Sequence, residues 1–354
     1  FLTEAVRSRD PALRVDAVEV LDAHSGTTGR ARVALTYAEN GSDPGARPAT
    51  LFVKLAPFDA RQREFVRRGG IGANEAQLYR DLADELPLRI PGIWHAVIDD
   101  AGRYVTVMED LTASGCTFPR PSDPAMPERA RSVIDGLARL HAAYWETPRF
   151  AGDLAWVPER AGFGPGDGKD PKSLAGAGHF VRQALDQFAH DMSPAFRTVG
   201  TMYSEHTGAI LDLWDEGERT LIHGDPHLGN LFLDGSVMGF LDWGMLSRSP
   251  GMRDVAYFCC NSVPREVRHE IEAALLERYR TGLVDLGVTL DAAVIAEQYR
   301  LFSVFSWVST VSTAAVGSRW QPAPRAIAAM ERTTAALEDL GTAEYLADRL
   351  GAAR

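Results

Sequence analysis

The stretch LIHGDPHLGN, residues 221–230, decides the fold of this chain. It places Asp225 and Asn230 on one short segment that contains Gly and Pro and follows an apolar run. The stretch FLDWG, residues 240–244, then adds Asp242. Transfer of a phosphoryl group from a nucleotide to an alcohol needs a carboxylate for the hydroxyl proton and oxygen ligands for Mg²⁺. Asp225 has the chemistry for the first task, and Asn230 with Asp242 for the second.

The bulk composition is that of a globular protein with a substantial core. The chain has 354 residues, of which 45% are apolar and 24% charged. Its formal net charge is −11, which disfavours nucleic acid as a partner because nucleic acid attracts proteins through Lys and Arg. An acidic balance mainly favours solubility.

The cysteines and the longest apolar run give no sign of a disulfide framework or a membrane span. The chain has three cysteines, Cys116, Cys259 and Cys260, and the last two are adjacent. We therefore expect a reducing, cytoplasmic environment. The run LFSVFSWVSTVSTAAV, residues 301–316, is short for a bilayer and contains Ser and Thr, so a buried helix is expected.

The periodicity of the chain changes after Leu111. Before it, alternating Val-rich segments predict strands, with one helical segment at 73–86. The predicted strands cover residues 14–23, 31–39, 50–56, 93–99 and 103–110. After Pro127 the chain is mostly helical, interrupted by short strands around the opening stretch. We predict an α+β fold with a small β-rich nucleotide-binding lobe and hinge at 1–111, and a larger helical lobe at 112–354 with the catalytic loop and acceptor site.

Two further features of the β-rich part fit nucleotide phosphates. Lys54 lies in FVKL, and an inward-facing Lys on a strand is costly unless it is paired. Glu75, at the start of the predicted helix, is the expected partner, and Lys54 would then hold the α- and β-phosphates. The turn HSGTTG could cover the phosphates with backbone N–H groups and hydroxyls, through Ser25, Gly26, Thr27 and Thr28.

These segments together resemble a known family. FVKL, NEAQLYRDL, VMEDL, LARLHAAYW, IHGDPHLGNLFL and FLDWG…GMRDVAYF follow one another along nearly the whole chain. The sequence resembles the aminoglycoside phosphotransferase and choline kinase group of the protein-kinase-like superfamily, and looks closest to the ecdysteroid-kinase-like small-molecule kinases. The resemblance implies a bilobal protein-kinase-like fold.

The resemblance also implies roles for individual residues. Asp225 becomes the catalytic Asp, Asn230 and Asp242 the Mg²⁺ ligands, and Lys54 with Glu75 the phosphate clamp. The hinge that meets adenine falls on the backbone of Met108, Glu109, Asp110 and Leu111.

Asp254 and His223 are expected to support the catalytic loop, and the role of His227 stays open. Asp254 matches an Asp at a helix start that supports the catalytic loop, and His223 is interpreted as a structural histidine behind it. His227 stands where protein kinases place a phosphate-contacting Lys. Two roles stay open for His227: a donor to the transferring phosphoryl group, or packing of the loop.

Two departures from the pattern of protein kinases stand out. Trp243 replaces the usual Phe, although Trp is familiar in the small-molecule group. The proposed phosphate turn has two glycines where a G-x-G-x-x-G pattern has three.

Three alternative functions compete with a small-molecule kinase. The His-x-Asp-x-His of 223–227 could belong to a metallohydrolase, but the other histidines form no second cluster in the sequence. A pseudokinase usually lacks the Asp, the Asn or the Lys, all of which are present here. A protein kinase would need a longer activation segment than the interval between Asp242 and Asp254 allows.

The expected activity is transfer of the γ-phosphoryl group of ATP, or of GTP, to a hydroxyl of a small molecule, with Mg²⁺. Segments 112–126 and 150–176 are expected near the acceptor, and they carry aromatic residues without a dense acidic cluster: Phe118, Phe150, Trp156 and Phe163. This composition favours a largely apolar alcohol over an aminoglycoside, a macrolide or a choline-like amino alcohol. Neither a nucleic acid nor a membrane is expected as a partner, and the oligomeric state cannot be inferred from the sequence.

Overall fold

The computed structural model describes residues 2–38, 47–99, 101–160, 170–317 and 322–351. Phe163, one of the aromatic residues assigned to the acceptor region, lies outside these ranges. The chain divides into two compact units by its internal contacts. The bounds of the first unit are Phe1–Phe118 and Phe232–Met245, and those of the second are Pro119–Leu231 and Leu246–Arg354.

The first unit is built on a five-stranded antiparallel sheet in the order β1-β2-β3-β5-β4. Its strands are β1 (Val15–Ser25), β2 (Gly29–Tyr37), β3 (Thr50–Leu55), β4 (Ile93–Ile98) and β5 (Tyr104–Glu109). Its helices are α1 (Leu2–Arg7), α2 (Ala60–Gly69) and α3 (Ile71–Leu82), and α3 packs against β4 and β5. The apolar faces of α1 and of the strands share one core, in which Val33, Leu51 and Val107 are buried.

The predicted strands of this unit are confirmed, and the predicted helix at 73–86 corresponds to α3. Helix α2 is an addition to the prediction, because its Arg-rich sequence has little apolar periodicity. Its boundaries nevertheless follow local rules. Asp59 accepts a hydrogen bond from the N–H of Gln62 at 2.9 Å, and Gly70 ends the helix at φ 68°.

A β-hairpin from the middle of the chain belongs to the first unit. Strands β7 (Leu231–Asp234) and β8 (Val237–Phe240) form it, and Arg89 ties it to the hinge strand β5. The Arg89 guanidinium contacts Asp234 at 2.8 Å and Glu109 at 2.9 Å. The hairpin therefore brings the Asp-Trp-Gly segment, which directly follows β8, to the first unit.

The second unit is mostly helical. Its helices are α4 (Met126–Ala143), α5 (Pro171–Phe188), α6 (Pro194–Glu205), α7 (Thr207–Trp214), α8 (Met252–Ser262), α9 (Arg265–Asp285), α10 (Ala292–Val316), α11 (Ala323–Asp339) and α12 (Thr342–Arg349). Two short strands, β6 (Thr220–Ile222) and β9 (Ser247–Ser249), pair antiparallel, and β6 directly precedes the predicted catalytic loop. Helix α10 packs against α5, α8 and α11, which makes it the central helix of this unit.

Helix α10 contains the apolar run that the sequence assigned to a buried helix, and this prediction is confirmed. Phe302 and Trp307 of α10 are fully buried. Over the residues that the structure describes, we find no helix with the combination of length and apolar character needed to cross a bilayer.

Candidate active site

Lys54 lies in the centre of a buried ion network in the first unit. It is on β3, opposite Arg30 of β2 and Thr106 of β5, and only 4% of it is exposed. Its Nζ contacts Glu75 Oε2 at 2.6 Å and Asp242 Oδ1 at 3.0 Å. The structure thus brings together three residues that are far apart in sequence.

The charges of this network determine the protonation of Lys54. Burial alone lowers the pKa of the Lys54 ammonium, but the negative charges of Asp242 and Glu75 outweigh it, and the pKa lies above its ordinary value. Burial raises the pKa of Glu75, and the ammonium of Lys54 opposes that rise. Lys54 is therefore a fixed positive charge at physiological pH.

Glu75 also fixes the backbone beside Asp242. Its Oε1 accepts a hydrogen bond from the N–H of Trp243 at 3.2 Å. Asp242 itself has a φ of 65°, a left-handed conformation that costs free energy for a residue with a Cβ; such strained residues are enriched at functional sites. Gly244 follows at a close approach, since a Cβ there would lie 2.6 Å from Cγ2 of Ile71.

Arg30 is a second cation at this network that the sequence analysis missed. Its Nη2 lies 3.8 Å from Asp242 Oδ2, and its side chain is 40% exposed. The only signal in the sequence is that Arg30 follows the phosphate turn closely. Its proximity to Asp242 depends on the pairing of β2 with β3, which the sequence does not specify.

The predicted phosphate turn is a tight connection between β1 and β2. The N–H of Gly26 donates to the carbonyl of Thr28 at 3.0 Å, so this amide is used within the turn. The Ser25 hydroxyl accepts from the N–H of Phe58 at 2.9 Å, and the buried Thr28 hydroxyl accepts from Arg30 Nε at 3.2 Å. Of the four predicted turn residues, Thr27 is at the tip, and the hydroxyls of Ser25 and Thr28 each retain a proton to donate.

The acidic side chains of the predicted hinge hold the hinge itself in place. The Glu109 carboxylate accepts from Arg89 at 2.9 Å and from the N–H of Gly92 at 2.8 Å. Asp110 is 4% exposed and accepts from Arg32 at 2.9 Å and from the hydroxyl of Thr50 at 2.8 Å. These side chains therefore fix the conformation of the backbone that follows Met108.

The backbone of the hinge differs from residue to residue in its hydrogen bonding. The Leu111 carbonyl accepts from the N–H of Cys116 at 2.9 Å, and the Asp110 carbonyl accepts from the N–H of Ser114 at 3.0 Å. In contrast, the N–H of Leu111 donates to no acceptor among the described residues. That N–H is a candidate donor to a ligand.

Asp225 and Asn230 face each other in the predicted catalytic loop, which belongs to the second unit. The Asn230 Nδ2 donates to the Asp225 main-chain carbonyl at 2.9 Å and to its carboxylate Oδ2 at 3.0 Å. Because both acceptors are oxygens, only the NH₂ group of the amide can face them. The amide oxygen of Asn230 therefore points away from Asp225.

His227 has a defined tautomer beside Asp225. Its Nδ1 accepts a hydrogen bond from the N–H of Gly229 at 2.9 Å, so the neutral ring carries its proton on Nε2. The Nε2 lies 3.6 Å from Asp225 Oδ2, which is beyond a normal hydrogen bond. The geometry leaves this N–H as a donor next to the loop carboxylate.

Asp254 anchors the backbone that precedes Asp225. Asp254 is fully buried at the start of α8 and accepts from the N–H groups of His223 at 2.7 Å and Gly224 at 2.8 Å. The ring of His141 adds a third contact at 3.4 Å, and its other nitrogen meets the Tyr279 hydroxyl at 2.8 Å. This network explains how a loop rich in Gly and Pro keeps one conformation.

His223 is fully buried behind the loop, where its Nδ1 accepts from the N–H of Asp225 at 3.2 Å. Across the described ranges, no group of three or more His, Cys, Asp or Glu side chains is arranged to hold a metal ion. The amide of Asn230 is a ligand type outside such a group.

The family of this chain follows from a comparison with family models. The model of the phosphotransferase enzyme family matches residues 34–290, which is more than half of the chain. The chain therefore belongs to the phosphotransferase enzyme family, and the predicted enzyme class is confirmed. A search of curated proteins finds no match.

Solved structures with the same fold include small-molecule kinases. A candidate aminoglycoside phosphotransferase from Ralstonia eutropha JMP134 is 15% identical, with a TM-score of 0.55, and the match covers 97% of this chain and 98% of that one. An ethanolamine kinase from Plasmodium vivax is 12% identical, with a TM-score of 0.54 and coverages of 93% and 84%. A choline kinase from Streptococcus pneumoniae is 16% identical, with a TM-score of 0.50 and coverages of 96% and 98%. The predicted protein-kinase-like fold and the resemblance to this group are confirmed.

Proposed function

We propose that this phosphotransferase transfers the γ-phosphoryl group of ATP, with GTP as the alternative donor, to a hydroxyl group of a small organic molecule. The buried network of Lys54, Glu75 and Asp242 carries the proposal. A lysine braced by a helical glutamate is the arrangement that phosphoryl transfer uses to hold nucleotide phosphates. An ethanolamine kinase and a choline kinase share the fold, which supports a small acceptor.

Lys54 and Arg30 supply the positive charge for the nucleotide phosphates. Lys54 is fixed by two carboxylates, so little conformational freedom is lost when it meets a phosphate oxygen. Arg30 is more exposed and can move towards a phosphate without breaking a close ion pair. The hydroxyls and remaining amides of Ser25, Gly26, Thr27 and Thr28 are proposed to cover the same phosphates.

The purine base is assigned to the backbone of the hinge, from Met108 to Leu111. The N–H of Leu111 is the donor that the described structure leaves without an acceptor. The side chains of Glu109 and Asp110 act indirectly, because their contacts hold that backbone in place.

Asn230 and Asp242 have the chemistry of Mg²⁺ ligands. The amide oxygen of Asn230 is turned away from Asp225 by the two hydrogen bonds of its NH₂ group. Asp242 offers a carboxylate held by Lys54 in a strained backbone conformation. Few carboxylates plus substrate phosphate oxygens suit Mg²⁺, which when bound neutralises charge on the phosphates.

Asp225 is proposed to orient the acceptor hydroxyl and take its proton. The NH₂ group of Asn230 donates to one of its carboxylate oxygens and holds the carboxylate in place. The Nε2–H of His227 is a neutral donor for an oxygen of the transferring phosphoryl group. Asp254 and His223 position this loop through its backbone.

The acceptor is proposed to be a largely apolar alcohol, of the kind that ecdysteroid-kinase-like enzymes take. An aminoglycoside, a macrolide or a choline-type amino alcohol is the alternative. We propose a cytoplasmic enzyme that needs neither a nucleic acid nor a membrane as a partner.

A titration with Mg·ATP, Mg·GTP and Zn²⁺ alone tests the nucleotide site. Stabilisation of the wild type by a Mg·nucleotide, weakened in Asp242→Ala, is the expected result and identifies the donor. Strong stabilisation by Zn²⁺ with no response to nucleotide would instead favour a metallohydrolase.

Replacement of Asp225 tests the catalytic role. We expect Asp225→Asn to lower kcat by about 10²- to 10⁴-fold in an assay of ADP release with hydroxyl compounds, with nucleotide affinity nearly kept. The control is Asp285→Asn at the exposed end of α9, which should turn over like the wild type. Unchanged turnover of Asp225→Asn would refute the assignment.

A further inference from the structure

Arg253 is a buried arginine that forms no ion pair with any of the described residues. It lies in the first turn of α8, and only 6% of it is exposed. Its Nε is buried without a hydrogen-bond partner, and no side chain or carbonyl of the described residues forms an ion pair or hydrogen bond with its guanidinium. Arg160, which is buried to the same degree, contrasts with it because it pairs with Asp215 at 2.8 Å.

The surroundings do not offset the cost of this charge. Burial first, and then the positive charge of Arg160, lower the pKa of Arg253 to about 10, although Asp254 and Asp215 oppose the shift. The guanidinium lies 3.9 Å from the ring centroid of Phe305. Such a cation–π contact is weaker than the free-energy cost of burying an unpaired ion.

Phe305 belongs to a connected set of four aromatic side chains, which we call the aromatic cluster: Tyr203, Trp214, Tyr257 and Phe305. The ring of Phe305 lies 5.4 Å from Trp214 and 5.8 Å from Tyr257. The buried Nε1 of Trp214 has no acceptor among the described residues. Arg253 and Trp214 thus present buried donors that lack an acceptor among the described residues, and a buried polar group needs one.

Tyr257 connects the aromatic cluster to the catalytic loop. Its ring lies 6.5 Å from that of His227. Burial first, and then the charge and hydrogen bonding of Asp225, hold the pKa of its hydroxyl well above the ordinary value, so Tyr257 and Asp225 face each other. Arg253 is one helical turn before Tyr257, about 6 Å along the helix axis.

We propose that Arg253 and the aromatic cluster bind the acceptor, and that the acceptor is an apolar, ring-containing alcohol that carries a carboxylate. Its hydroxyl meets Asp225, its ring packs on Phe305 and Tyr257, and its carboxylate accepts from Arg253. The proposal rests on the proposed function, which places the reacting hydroxyl at Asp225. A cationic acceptor would place like charge against Arg253, which disfavours aminoglycosides and choline-like alcohols.

Three para-substituted benzyl alcohols of nearly equal shape provide the test. They are para-hydroxymethylbenzoate, para-hydroxymethylbenzamide and para-aminomethylbenzyl alcohol, which are anionic, neutral and cationic. Calorimetric titration of the wild type, without nucleotide, should give binding of the benzoate at least about tenfold tighter than that of the amide, and no binding of the amine. Preference for the amine, or no binding of the benzoate at millimolar concentration, would overturn the proposal.

Two variants of Arg253 separate charge recognition from folding. Arg253→Met should abolish the preference for the benzoate over the amide, and Arg253→Lys should restore part of it. Arg278→Met, which removes an exposed arginine paired with Asp135, should keep the wild-type preference. An unchanged preference in a folded Arg253→Met, or loss of preference in both Arg253 variants alike, would contradict direct recognition of the carboxylate.

Nucleotide binding separates a failure of the proposed acceptor class from a failure of the proposed kinase activity. Mg·ATP binding by the wild type without any charge preference among the three alcohols would remove only the inference on the acceptor. Benzoate recognition without nucleotide binding would keep the anion site and remove the proposed kinase activity.

Discussion

Asp254→Asn tests whether one buried carboxylate holds the proposed catalytic loop in place. The replacement keeps the shape of the side chain but changes one acceptor oxygen into an NH₂ group. In the wild type, both oxygens accept: Oδ2 from the N–H of His223 at 2.7 Å and Oδ1 from the N–H of Gly224 at 2.8 Å. Asparagine can satisfy only one of these two donors.

The expected loss of stability in Asp254→Asn follows from these two hydrogen bonds. A hydrogen bond to a charged acceptor contributes about 1.5–3 kcal/mol, and a buried donor left unsatisfied costs about 1–3 kcal/mol more. The sum predicts a loss of about 2.5–6 kcal/mol in the free energy of unfolding, a large part of a typical domain's stability. Turnover should fall as well, because the two N–H groups lie directly before Asp225.

Urea denaturation, followed by tryptophan fluorescence and far-UV circular dichroism, measures this loss. The matched control is Asp153→Asn, which breaks an ion pair at 2.7 Å between Arg149 and a carboxylate side chain that is 62% exposed. Ion pairs between exposed side chains contribute little to stability because solvent screens them, so this variant should stay close to the wild type. If Asp254→Asn loses no more stability than the control, the anchoring role of Asp254 is wrong.

Two further predictions concern the first unit, with one control in the second. Burial raises the pKa of Asp110, but hydrogen bonds from Arg32 and Thr50 outweigh this and hold it below its ordinary 3.8. The stabilisation from Asp110 is therefore present above pH 3.8 and is lost as the pH falls through the lower pKa of the folded state. The difference in free energy of unfolding between the wild type and Asp110→Asn should therefore shrink in acid. A difference that stays constant when denaturation is measured across this pH range would contradict the prediction. Gly244→Ala should destabilise the protein by about 1–3 kcal/mol, because the new Cβ would clash with Ile71 at the start of α3. The control Gly176→Ala, which has open space around it on α5, should stabilise the protein by about 0.5–1 kcal/mol. Equal melting temperatures for the two variants would refute the predicted clash.

The sequence predicted the parts of the site whose residues are close in the chain or lie in regular patterns. Asp225 and Asn230 share one loop, so their spacing alone places them together. Lys54 and Glu75 were paired because a buried strand Lys needs a carboxylate and a helix start supplies one. Alternation of apolar residues predicted the strands on which this pairing depends.

The residues that the sequence analysis missed depend on long-range packing. Arg30 reaches Asp242 only because β2 and β3 pair in a particular register. Arg253 reads in sequence as an ordinary charged residue near a helix start, and its burial against Phe305 appears only when α8 packs on α10. Side-chain pairing across strands and helices is not encoded in local periodicity, so such residues cannot be found from spacing.

The same type of contact positions the aspartate to which we assign a function in each of the two units. In the first unit, the buried Glu75 of α3 accepts the N–H of Trp243, the residue after Asp242. In the second, the buried Asp254 of α8 accepts the N–H groups of the two residues before Asp225. In each case, a buried carboxylate on a helix fixes the backbone next to the aspartate with the proposed function. Because a charged acceptor binds backbone N–H groups more strongly than a neutral one, both aspartates can be held in place before any ligand binds, which is the preorganisation that electrostatic catalysis requires.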